Sequence, residues 1–175
     1  MIARIVIVGL ITVSLIAGAA LYYLQVYAFY DDVQVDQTPV LLTSVATGEA
    51  EGIAASNVRT VNSDSSPIRF RGCFETTLSQ AMLSETYVIR DDADPLVAPA
   101  WFDCFDAEAI GADLTSGTAI AFMGQENVQY GIDRIVAIYP DGRGYAWHQI
   151  NACGEVVFDG DPTPDDCPPA PEGLN

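Results

Sequence analysis

The chain has no lysine and one histidine, and all seven of its basic residues are arginine. Against them stand 24 acids, giving a formal net charge of −17. Every acid lies at or beyond Asp31, so the part after Tyr30 holds six arginines and a net of −18. A field of that sign repels nucleic acid and anionic headgroups, and no basic arm or patch offsets it; nucleic-acid binding is close to excluded. Such a surface suits steering of a basic partner or Ca²⁺ binding, but solubility or adaptation to salt is the simpler explanation. A single histidine rules out multi-histidine metal sites and His-pair proton relays. Also missing are a CxxC redox pair, a CxxCH haem attachment, a GxSxG nucleophile turn, a glycine-rich phosphate loop and a dinucleotide fingerprint. Asp91-Asp92-Ala93-Asp94 and Asp159-Gly160-Asp161 resemble calcium loops in composition, yet neither fits the twelve-residue pattern ending in Glu, and both read as solvated turns. No metal site and no cofactor is implied.

What is present begins with an uncharged run over residues 5–24, whose polar side chains are only Thr12, Ser14 and the tips of Tyr22 and Tyr23. Twenty residues at 1.5 Å rise cross the ~30 Å hydrocarbon core. Arg4 precedes the run, and Asp31 and Asp32 follow it. The positive-inside rule then puts residues 1–4 in the cytoplasm and everything after Tyr30 outside. Tyr22, Tyr23, Tyr27, Phe29 and Tyr30 form an aromatic belt at the outer end. Gly9, Ser14 and Gly18 offer a weak small-residue track for a neighbouring helix. Ala17-Gly18-Ala19 has the form of a signal-peptidase site, but the apolar stretch continues through Leu21, Leu24, Val26, Ala28 and Phe29, which favours a retained anchor.

Four cysteines, Cys73, Cys104, Cys153 and Cys167, in an exported domain read as two disulfides. Three connectivities are open, and pairing of chain neighbours, Cys73–Cys104 with Cys153–Cys167, is favoured. On the chain-entropy argument a loop of this size stabilises by about 3–4 kcal/mol.

The organisation expected is a stalk over 31–39, a domain over 40–158 and a Pro/Asp-rich tail over 159–175 tied by Cys167. Strands are expected at 40–45, 68–74, 87–89, 118–122, 132–139, 145–150 and, briefly, 156–158. The 140–144 turn makes a hairpin. Residues 47–67 read as mostly loop, with a helical turn near Ile53. Thr76 or Thr77 opens one short helix through Leu83. Asp106 caps another that ends before Gly117, with Glu108 suiting its dipole. The fold class is α+β: a transmembrane helix, then a small, mostly antiparallel sheet with two short helices on one face and two disulfides. No internal repeat is found.

Candidate chemistry is thin. If 68–74 is one strand, Arg69 and Arg71 share a face and form a weak site for a carboxylate or phosphate, though pairing with the domain's own acids is the more ordinary fate. His148 is counted with them as a weak ligand-binding residue. Its strand setting points it opposite Trp147, so it reads as exposed or partner-facing. Asp133 and Arg134 point to opposite faces, with Arg69 or Arg71 the expected partner of Asp133 and a Glu that of Arg134. Trp101, Phe102, Tyr145 and Trp147 are candidate contact aromatics, more often core.

The strings SSPIRFRGCF, WFDCFDAEAIGA and YGIDRIVAIYPDGRGYAWHQIN, with LYYLQVYAFY at the membrane exit, resemble an uncharacterised family of small alphaproteobacterial proteins. The resemblance implies a single membrane helix and a domain of unknown function, and it supplies no catalytic residue.

The function expected is therefore non-catalytic. The chain would be an accessory or assembly protein of a larger envelope complex, anchored in a bacterial inner membrane and meeting a membrane-protein partner through helix and ectodomain. The alternatives are a periplasmic sensing domain for a small anion and an envelope hydrolase using paired carboxylates.

Overall fold

The computed structural model describes residues 2–28, 30–33, 39–63 and 65–171. The chain opens with helix α1, Ile2–Tyr23, which runs on as a π-helical turn, Leu24–Ala28. No residue of either is buried. A helix that is apolar on every side and exposed along its length suits a surround of lipid or another protein.

The domain is built on a six-stranded antiparallel sheet in the order β1 (Asp31–Val33), β4 (Ser56–Asn62), β5 (Arg71–Glu75), β8 (Arg143–Ile150), β7 (Ile132–Ile138) and β6 (Ile120–Gln129). A separate hairpin pairs β2 (Leu41–Thr43) with β3 (Ala50–Gly52). The expected strand at 87–89 is a thin seam between the two sheets. Arg90 N donates to Ala121 O and Met123 N to Val88 O on one side; Val88 N donates to Thr43 O on the other.

Three short helices complete the domain: α2 (Gln80–Thr86), α3 (Ala107–Ser116) and α4 (Ala152–Phe158). Asp106 caps α3 by accepting from Ala109 N, and Gly117 ends it in the left-handed conformation, as its sequence requires. Ser79, rather than Thr76 or Thr77, caps α2. Thr76 is instead buried, its hydroxyl donating to Ala54 O.

Both faces of the sheet are covered. One carries Val61, Cys73, Met123, Ile135 and Trp147 under Phe102, Phe105 and Ile110 of α3. The other carries Phe74, Phe122, Val136 and Ala146 under Val40, Leu42 of β2 and Leu83 of α2. The helices thus lie on opposite faces, not on one. Both disulfides join chain neighbours, Cys73–Cys104 and Cys153–Cys167. The first staples the loop covering one face to β5; the second ties the tail to α4.

Several elements differ from the sequence reading. Strands β3 and β4 occupy the stretch read as loop. Residues 67–69 form a 3-10 turn with Pro67 in its first turn, so the strand starts only at Arg71. Residues 156–158 are helical, not extended. The stalk begins as sheet: Asp31 pairs with Asn62 and Val33 with Thr60. Residues 34–38 and Phe29 lie outside the described residues.

Candidate functional site

Arg71 is buried, and its register partner on β8 is Trp147. Its guanidinium donates to four main-chain oxygens: Leu96 at 2.6 Å, Ile68 at 2.7 Å, Phe70 at 2.6 Å and Val97 at 3.2 Å. Burial lowers its pKa to about 10, against a smaller opposing effect from Tyr30, so it stays charged at neutral pH. Arg71 therefore fastens the 95–97 loop over the sheet. Arg69, in the 3-10 turn, turns away from it, donating to Ser65 Oγ and lying 5.5 Å over the Tyr30 ring. The two arginines do not share a face and form no common anion site.

His148 is buried, which corrects the expectation of an exposed or partner-facing residue. Trp147 and His148 do point to opposite faces, but neither face is open. Nδ1 lies 2.6 Å from Pro67 O, and because a carbonyl only accepts, Nδ1 carries the proton. Nε2 then accepts from Arg134 Nε at 3.1 Å. The ring stacks on Phe70, and Arg134 lies 4.2 Å over the other ring. Desolvation, with Arg134 and Arg71 nearby, pushes the imidazole pKa down to about 4, despite the Pro67 bond. It is neutral and packed, with no nucleophile beside it. Arg134 takes this histidine rather than a glutamate as its partner.

Asp133 is the sole buried acid among the described residues. Its partner is Arg90, at 3.2 Å, and neither Arg69 nor Arg71. Oδ1 also accepts from Asn127 N at 2.9 Å and Asn151 Nδ2 at 2.8 Å. A side chain so fully bonded ties β6, β7 and the start of α4 together. Two carboxyls, Asp92 and Asp141, are held below the usual carboxylate range by hydrogen bonds from Arg90 and Arg143. A general acid needs the opposite displacement. No cluster of three metal-ligating side chains occurs among the described residues.

Open surface lies elsewhere. A groove of about 550 Å³ runs over the sheet, floored by the Cys73–Cys104 disulfide and Tyr145, with Asn57, Arg59, Glu75 and Arg143 on its walls. Arg59 reaches Asp103 at 3.1 Å and Arg143 reaches Asp141 at 2.8 Å; all four side chains are more than half exposed. Exposed pairs like these contribute about 0–1 kcal/mol and exchange readily for another anion. At the rim, β4 bulges between Ser56 and Arg59, and Asn57 adopts φ +52°, donating to Glu75. β1 pairs only with residues 60–62, so the outer edge of β4 at 56–59 has no strand beside it among the described residues. No local pattern announces this groove: its residues come from three strands and a loop whose register is set by packing. Of the contact aromatics, Phe102 and Trp147 are core; Tyr145 and Trp101 are half-buried.

No similar protein is found among curated proteins, and no solved structure matches. One family profile does match, over residues 40–168, which takes in every strand of the domain except β1, together with both disulfides and the groove. The chain belongs to that family, the Family of unknown function (DUF6446).

Proposed function

We propose that this chain is a non-catalytic accessory or assembly protein, held in a bacterial inner membrane by α1 with its N-terminus in the cytoplasm and its domain in the periplasm. The apolar helix and the disulfide-bonded domain suggest an extracytoplasmic location. The observation that carries the functional reading is that the side chains with chemical potential are engaged internally. His148, Arg71 and Asp133 each hold the fold together, while the open groove presents a disulfide, an aromatic ring and exchangeable ion pairs. That combination suits a contact surface better than a reaction centre. The partner is a membrane protein, met by the helix and the groove together. Mild-detergent capture of the tagged full-length chain from native membranes, with mass spectrometry, is expected to return one stoichiometric membrane complex. Arg59→Glu is expected to weaken it. Full function from an exported form lacking residues 5–24 would overturn the proposal.

A second reading rests on one observation: two of the six arginines beyond the helix line the same groove. A small carboxylate or phosphate bridging Arg59 and Arg143 would make this a sensing domain. Titration of the full-length protein with such anions, compared with Arg143→Gln, separates the two.

A further inference from the structure

Trp101 Nε1 donates to Val26 O at 2.7 Å, so the domain touches the exit of its own membrane helix. Tyr30 packs edge-on against Trp101, with ring centroids 5.9 Å apart, and Arg69 covers Tyr30. This corner can be placed in depth. Val26 follows Arg4 by 22 residues, about 33 Å along a helix axis. A bilayer has ~30 Å of hydrocarbon and ~40–45 Å with its headgroups. With Arg4 at or outside the inner edge of the hydrocarbon, Val26 rises no more than ~3 Å above the outer edge. Tilt only lowers it. The indole bonded to Val26 therefore lies no farther out than the outer headgroup layer.

The chain leading to that indole fits the same layer. Residues 95–101 carry no charge in a chain with 24 acids. Val97 is 81% exposed. Its backbone is nonetheless pinned, because Arg71 holds Leu96 O and Val97 O. An apolar side chain presented on a fixed loop, beside a tryptophan and an arginine at headgroup depth, matches what interfacial anchors use.

We propose that loop 95–101, with Trp101 and Arg69, seats the domain directly on the outer lipid headgroups of the membrane that α1 crosses. This rests on α1 being a retained anchor. The test uses full-length protein reconstituted in phosphatidylcholine vesicles containing lipids brominated near the headgroup. Wild-type emission is expected to be quenched by these lipids, and Trp101→Phe is expected to lose that quenching, since Trp147 is enclosed in the core. Val97→Trp in the Trp101→Phe background is expected to restore it. Tryptophans at both positions that escape bromolipid and yield to aqueous iodide would overturn the seating. Resistance to carbonate extraction is measured on the same vesicles. Chain that stays with the lipid while both reporters remain aqueous refutes the seating alone; chain released by carbonate refutes the anchor, and the seating with it.

Discussion

His148 makes the fold sensitive to acid through one proton. Below about pH 6.5 the unfolded chain binds a proton on this imidazole that the folded chain refuses until about pH 4. Stability therefore falls as pH drops across that interval, by up to about 1.4 kcal/mol per unit. His148→Gln removes the dependence. The urea midpoint of the wild type should fall more steeply than that of the variant between pH 6.5 and 4, and parallel curves would contradict the assignment. The Asp92 and Asp141 pairs weaken at lower pH in both proteins and cancel in the comparison. Arg71 is the other residue whose replacement is informative. Arg71→Met leaves four carbonyls without their donor and should cost about 2–4 kcal/mol by urea unfolding. Arg71→Lys should recover only part of this, because an ammonium cannot fork to Leu96 and Ile68 together. Limited proteolysis of both variants should open at the 95–101 loop first.

Among the elements, α3 and the β7–β8 hairpin were legible because local chemistry and tertiary packing agree there. Asp106, Glu108 and Gly117 mark the helix whatever it packs on. Strand β4 was not legible, since Ser56, Asn57, Arg59 and Asn62 have little strand character. It is extended because β5 pairs with it and Val61 fills the core. Residues 156–158 mislead in the other direction. Two valines and a phenylalanine look extended, yet Asn151 caps a helix there and Gly154 packs backbone-to-backbone on Gly131, a contact no local pattern shows. The alternation at Ile68, Phe70 and Gly72 hid the 3-10 turn, and with it the true separation of Arg69 from Arg71. Pro67 was the available sign, having a fixed φ and no amide hydrogen to donate to a neighbouring strand. One close approach can be tested at the element scale. A Cβ on Gly144 of β8 would fall on the Phe74 ring of β5, which is buried and cannot swing aside. Gly144→Ala should destabilise by about 1–3 kcal/mol in urea; an unchanged midpoint would mean the strands separate more easily than their packing suggests.

On the scale of the whole molecule, the two disulfides divide the labour unequally. Cys73–Cys104 spans 31 residues and clamps the cover of Trp147 to β5. Cys153–Cys167 spans 14 and secures the tail, helped by Tyr130 donating to Pro168 O. Replacing Cys73 and Cys104 together by alanine should cost about 3–4 kcal/mol and loosen the Trp147 environment, seen as lost near-UV circular dichroism. Replacing Cys153 and Cys167 should cost about 3 kcal/mol or less, with that signal kept and the tail cut by protease beyond α4. If both replacements give the same spectrum, the proposed division is wrong.

The pairing has a consequence for biogenesis. Threaded out of the cytoplasm behind its helix, the chain would deliver its thiols in numerical order. Cys73 would meet Cys104 before Cys153 emerges, and Cys153 would then have only Cys167 left to find. Simple order of arrival would then yield the native bonds, and oxidative refolding of the reduced chain is expected to need an oxidant but no reshuffling enzyme.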